Sequence, residues 1–227
     1  MPLIQVQDLY KTFGEGTTAV HALAGVNLHI AQGEFTAIVG PSGSGKTTLL
    51  NMIGGLDDPT AGKVKVNQTN IHELKPQERT DFRLRHIGFV FQAYNLIPVL
   101  SAYENTEFTM LLQGKSAEER ERRTEELLRS IGLFDRRNNK PGELSGGQQQ
   151  RVAVARALAP KPDFVLADEP TANLDSHSAA TLLDIMADLN QKEGVTFVFS
   201  THDQRVMDRA RRVITMEDGK IIEDLVK

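Results

Sequence analysis

The sequence predicts an α/β fold built on a mostly parallel sheet, with an antiparallel β region near the N-terminus and a helical insertion. Short runs rich in Val, Ile and Phe recur at 35–39, 87–91, 164–167, 195–199 and 213–216. Four of them are nearly continuous in apolar character, as strands covered by helices on both faces must be. A helix-forming stretch of different texture, 93–163, interrupts the series.

Taken in order, residues 3–9 and 63–66 alternate apolar with polar, and 57–62 has the composition of a turn, so these segments predict a half-exposed antiparallel sheet. The run 35–39 enters a glycine-rich loop and then a helical segment at 49–53. Inside the insertion, Ser116 and Glu119 are spaced as a capping box, and Leu127, Leu128 and Ile131 share one helix face. Between 116 and 140, six acidic and seven basic residues interleave, which predicts a solvated face. A second glycine-rich turn, 144–148, precedes a helical pattern over 149–159 in which Val152, Ala155 and Arg156 recur at helical spacing. The expected organisation is one domain over 1–227: a core from 1–92 and 164–227, and a helical subdomain at 93–163.

Composition narrows the chemistry. A chain of 227 residues with 40% hydrophobic and 25% charged residues suits one folded domain. Lys plus Arg total 26 against 30 acids, a net charge of -4, which argues against general nucleic-acid binding. The densest basic cluster, Arg205, Arg209, Arg211 and Arg212, is diluted by Asp203 and Asp208 and is expected to be a solvated helix face. With no cysteine, disulfides, thiol catalysis and Cys-based metal centres are excluded. No apolar run approaches the roughly 18 residues of a membrane span, and the first residues lack the layout of a secretory signal, so a cytoplasmic location is expected.

The strand at 35–39 runs into Gly40-Pro41-Ser42-Gly43-Ser44-Gly45-Lys46-Thr47-Thr48, which matches the phosphate-binding pattern GxxxxGK[ST] in the strand–loop–helix context it requires. The glycines let successive amides point inward at phosphate oxygens, and the helix start adds its positive dipole end. Lys46 brings a point charge to the β- and γ-phosphates, and the Thr47 hydroxyl can reach Mg²⁺. The loop marks a P-loop NTPase but by itself leaves kinase, GTPase, helicase and transporter ATPase all open.

The apolar strand at 164–167 ends in Asp168-Glu169, and strand ends in a parallel sheet converge on the ligand crevice. Asp168 is placed to hold Mg²⁺ and Glu169 to orient or deprotonate the attacking water. In Leu144-Ser145-Gly146-Gly147-Gln148, a second helix N-terminus suited to anions appears. One nucleotide has no use for two phosphate cradles in one chain, which implies a site shared with a neighbouring copy.

This LSGGQ element, with the P-loop and the Asp-Glu strand, resembles the ATP-binding-cassette (ABC) ATPases over essentially the whole chain, which implies a RecA-like P-loop NTPase core. The resemblance implies that Phe13 stacks on adenine, where most relatives have Tyr, and that Gln92 touches Mg²⁺ and the water. It further implies that Asn173-Leu174-Asp175 cross a dimer interface, that His202 contacts the γ-phosphate, and that Ser145, Gly146, Gly147 and Gln148 bind nucleotide held by the second copy. His21, His29, His72, His86 and His177 lack a convergent ligand set and are read as surface or packing residues.

The strings Ile87-Gly88-Phe89-Val90-Phe91-Gln92, Asn95-Leu96-Ile97-Pro98 and Glu104-Asn105 look most like the lipoprotein-releasing and MacB-type exporter ATPases. At Thr106-Glu107-Phe108 the chain departs from them, where relatives usually have a valine and a later proline. The resemblance implies a head-to-tail ATP-sandwich dimer, Mg²⁺ as cofactor, and an integral-membrane permease that holds the chain on the inner face of the membrane. The segment 94–100 is the expected docking seam, and no nucleic-acid partner is expected. Two non-transport readings carry the same motifs: a divisome-type membrane regulator, and a soluble nucleic-acid or ribosome-associated clamp.

Overall fold

The computed structural model describes residues 2–227. In chain order, β1 (Ile4–Phe13) and β2 (Val20–Ile30) form a long antiparallel pair, and β3 (Phe35–Val39) leads into α1 (Lys46–Ile53). Next, β4 (Ala61–Val66) and β5 (Thr69–Asn70) return to the first sheet, and α2 (Pro76–His86) feeds β6 (Ile87–Val90). Three helices follow: α3 (Ala102–Leu112), α4 (Ala117–Ser130) and α5 (Gly146–Leu158). The chain then alternates through β7 (Phe164–Asp168), α6 (Ser176–Glu193), β8 (Thr196–Thr201), α7 (Gln204–Arg209), β9 (Arg212–Glu217) and β10 (Lys220–Val226).

Two sheets result, an antiparallel one in the order β2-β1-β4-β5 and a six-stranded one in the order β10-β9-β3-β8-β7-β6. In the larger sheet every neighbouring pair is parallel except β10 with β9. The continuous apolar runs have the cause expected of them, since successive residues of each strand enter two different cores. Ile38, Leu166 and Val198 join α1 and the antiparallel sheet, where Ile4, Val6, Leu49, Met52 and Val64 are buried. Ala37, Val165, Phe197 and Phe199 face the opposite way, onto Val152 and Ala155 of α5 and Leu182 and Met186 of α6. Burying each of the larger side chains among them stabilises the fold by about 1.5–3 kcal/mol.

Several expectations need correction. The run at 87–91 stops as a strand at Val90, and β8 covers 196–201. The helix expected from 149 begins at Gly146, because Ser145 caps it. At α4 the capping box is only half made: Ser116 Oγ accepts from the Glu119 amide, but the Glu119 carboxylate instead meets Lys115 at 2.9 Å. Arg123, read as part of a solvated face, is buried, and its guanidinium reaches Glu193 of α6 and the carbonyl of Leu158. The arginines at 205–212 do not form one helix face, since α7 ends at Arg209. Arg205 pairs with Asp203, Arg209 with Asp184, and Arg212 with Glu34 and Asp224. Strand β10 is a further element, with most of its residues exposed and none fully buried, so its sequence carries little of the alternation that marks a half-buried strand.

Candidate nucleotide site

Parallel pairing places four strand ends side by side. Val39 lies opposite Thr201, Asp168 opposite Ser200, and Val90 opposite Ala167. The residues that follow those ends therefore share one edge of the sheet, although they lie far apart in sequence. Gly40 to Thr48 follow β3, Gln92 lies beyond β6, Glu169 follows β7 and His202 follows β8. Among these residues, Gly40, Pro41, Ser42, Gly43, Gly45, Lys46, Thr47, Thr48, Gln92, Glu169 and His202 line one cleft of about 590 Å³.

Gly45 is the N-cap of α1 with a φ of 99°, and a Cβ there would sit 2.4 Å from the carbonyl oxygen of Ala22. Only glycine fits, so the first amides of α1 stay open to an anion. Lys46 is mostly buried, and its Nζ donates to the carbonyls of Gly40 and Pro41 at 2.9 Å each, which bends the loop around the ammonium. Ser44 is buried behind the loop and does not line the cleft.

Thr47 Oγ1 donates to Asp168 Oδ1 at 3.0 Å. A hydroxyl and a carboxylate so placed form an all-oxygen donor pair, which fits Mg²⁺ and does not fit a thiophilic metal. Glu169 has a φ of 47°, a backbone state that non-glycine residues hold only where surrounding contacts enforce it. Its amide donates to the Ser200 carbonyl at 2.9 Å, and its Oε1 lies 2.8 Å from His202 Nδ1. Behind this pair, Thr171 Oγ1 donates to Asp203 at 2.7 Å. Arg205 beside Asp203 holds that carboxyl down from 3.8 to about 2.

Phe13 is not among the residues lining the cleft, but its cross-strand partner Val20 is. Its ring is 45% exposed and carries the Lys11 ammonium 4.8 Å from its centroid. His21, read from the sequence as a surface or packing residue, lines the cleft, with Nδ1 held 3.0 Å from Thr12 Oγ1. Only the β1–β2 register brings it there, and no local motif marks it.

The second turn lies elsewhere, because Ser145 to Gln148 do not line this cleft. Ser145 Oγ accepts from the Gln148 amide at 3.3 Å, and Gln148 Oε1 accepts from the Ser145 amide at 2.9 Å. Gly147 is required by packing as well, since a Cβ would come within 2.8 Å of Ser178. Asn173 and Asp175 are exposed and Leu174 half-buried. Asp175 caps α6, and its hydrogen bonds to Ser178 hold its carboxyl below the usual carboxylate range.

The family model described as ABC transporter matches residues 23–172. This chain belongs to the ABC transporter family. Its cassette is 46% identical, over its full length, to the macrolide export ATP-binding/permease protein MacB of Mannheimia succiniciproducens, of which it spans 35%. The lipoprotein-releasing system ATP-binding protein LolD of Legionella pneumophila is 42% identical over 96% of each chain. Among solved structures, a dimeric ATP-binding cassette in a post-hydrolysis state bound to ADP and Pi superposes on the ABC chain with a TM-score of 0.90, 43% identity and 98% coverage of both chains.

Proposed function

We propose that this chain is the ATP-binding and ATP-hydrolysing subunit of a membrane transporter of the MacB or lipoprotein-releasing type, working as a head-to-tail pair of copies around two ATP molecules. The observation that carries this reading is the alignment of four strand ends at one cleft, while the second anion-suited turn lies outside it. Each copy would offer Ser145 to Gln148 to the γ-phosphate held by the other. Asn173 to Asp175, exposed or half-exposed beside that turn, would lie in the shared interface.

In the cleft, the amides of Gly43 to Thr48 and the Lys46 ammonium would hold the triphosphate, and Phe13 at the rim would stack on adenine through the face away from Lys11. Thr47, Asp168 and Gln92 would hold Mg²⁺, which when bound neutralises charge on the β- and γ-phosphate oxygens. Glu169 would take the proton of the attacking water. His202, donating from Nδ1 to Glu169, would fix that carboxylate, and its Nε2 would donate to the γ-phosphate only when it too carries a proton. Loss of the γ-phosphate removes the contact that joins the copies, so ATP binding closes the pair and hydrolysis opens it.

Output would pass to the membrane subunit through an apolar groove of about 430 Å³, lined by Leu56, Phe89, Phe91, Ile97, Phe108 and Leu112. Phe91 precedes Gln92 in the chain, and Asn95 and Ile97 bring part of the 94–100 segment into the same groove. Among the described residues no helix is long and apolar enough to cross a membrane, which supports a peripheral placement on the inner face through that partner.

The test is a size measurement. Glu169→Gln protein with ATP and Mg²⁺ is expected to elute as a dimer and to return to monomer with ADP, whereas Ser145→Arg in the same background stays monomeric. A Glu169→Gln protein that encloses ATP as a monomer overturns the shared site.

A further inference from the structure

A buried polar side chain at the centre of the molecule has no part in the mechanism above. Gln150 lies in the second turn of α5 and is fully buried, on a helix whose Val152, Ala153, Val154 and Ala155 are buried as well. Its Nε2 donates to the carbonyl of Phe91 at 3.2 Å and to that of Pro170 at 2.9 Å. Both partners are carbonyl oxygens, so the amide orientation follows from them: only the NH₂ end can serve. Oε1 is buried with no hydrogen-bond partner. Burying a half-satisfied amide is costly, and a Met or Leu would avoid that cost.

The two acceptors explain why an amide is there. Phe91 immediately precedes Gln92, and Pro170 immediately follows Glu169. A single side chain therefore grips the backbone beside both polar groups of the cleft that would handle water, and it does so from the helix whose N-terminus is the Ser145–Gln148 turn. The loop beyond Gln92 is held from the same helix, as Arg156 donates to the carbonyls of Tyr94 and Asn95, both at positive φ. Asn173 Nδ2 closes the circuit by donating to the Gln92 carbonyl at 3.0 Å.

We propose that Gln150 is a positioning residue that holds the backbone beside Gln92 and Glu169 from the helix that begins at the Ser145–Gln148 turn, and so couples the site a copy owns to the turn it lends to its neighbour. The inference rests on the ATPase reading. Because Gln150 touches neither the P-loop nor the cleft, its removal should spare nucleotide binding and impair turnover.

Gln150→Met keeps the volume and removes both donors. With the full purified chain, it is expected to lower kcat at least tenfold while the Kd for ATP without Mg²⁺ stays within threefold of the parent and dimer formation by Glu169→Gln/Gln150→Met weakens. A kcat within twofold of the parent, or a rise in Kd equal to the loss in kcat, overturns the proposal. If Gln150→Met does not fold, Gln150→Glu takes its place. Protonated, that carboxyl regains one O–H donor, so its kcat relative to the parent should rise toward acid pH, and a flat ratio overturns the proposal. The parent and Glu169→Gln proteins are the controls: a parent without ATPase activity refutes the ATPase reading, whereas an active parent, an inactive Glu169→Gln and a fully active Gln150→Met refute this inference alone.

Discussion

Glu169 Oε1 and His202 Nδ1 lie 2.8 Å apart although 33 residues separate them, because each follows the end of one of two adjacent parallel strands. The pair joins a strained backbone position to an exposed imidazole, and it orients the carboxylate before any substrate arrives. A general base contributes about 10²–10⁴-fold to a rate. Glu169→Gln is expected to lose that much in kcat, and His202→Ala about 10²-fold, with the KM for ATP changed less than threefold in both. Steady-state phosphate release measures this, and a His202→Ala enzyme of normal kcat would show the contact to be idle.

Gly45 admits no side chain, since its φ is 99° and the Ala22 carbonyl oxygen would lie 2.4 Å from a Cβ. Gly45→Ala should cost about 2 kcal/mol of stability through forced backbone strain and should abolish ATP binding. Thermal unfolding and nucleotide titration check the two effects separately. A variant that binds ATP normally contradicts the role given to the loop.

Phe13 and Lys11 form a cation–π pair, and Lys11 is anchored on Asp57 at 2.8 Å. Ring stacking is worth about 0.5–1.5 kcal/mol, which corresponds to roughly twofold to thirteenfold in affinity. Phe13→Ala is expected to raise the Kd for ATP by that factor and to leave inorganic triphosphate binding unchanged. Equal losses for both ligands would remove Phe13 from the base site.

The Arg123–Glu193 pair ties α4 of the insertion to the end of α6, with Arg123 buried and Glu193 partly so. Removing Glu193 leaves Arg123 buried with Glu126 as its remaining carboxylate at 3.1 Å, so the cost falls below that of an uncompensated buried charge, at about 2 kcal/mol. Glu193→Ala should therefore destabilise the fold by about that much, and Arg123→Met/Glu193→Leu by less. Denaturant melts of the single and double variants decide it, and a double variant worse than the single one contradicts the desolvation argument.

Asp203 has its carboxyl lowered to about 2 by Arg205, against an ordinary 3.8. A carboxylate depressed in the folded state contributes stability that is fully present above its unfolded value and is lost as pH falls through its folded one. The stability gap between the parent and Asp203→Asn should be widest above pH 4 and close between about pH 4 and 2. A gap that does not change over that window would falsify the assignment.

Residue order was enough to reveal the α/β class, the glycine-rich loop between β3 and α1, the Asp168-Glu169 strand end and the second glycine turn. Each of these is local: a few consecutive residues whose backbone needs and side-chain chemistry can be read together. Strand runs such as 35–39 and 195–199 were legible for a related reason, since burial on both faces leaves an apolar signature that no partial exposure dilutes. Spatial assembly was needed for whatever depends on register or on contacts between distant segments. His21 reaches the cleft through cross-strand pairing, Arg123 is buried by a glutamate 70 residues away, and Gln150 acquires its two acceptors from loops that follow different strands. An amide or a guanidinium looks the same in the sequence whether water or a buried carbonyl receives its hydrogen bonds, and only packing settles which.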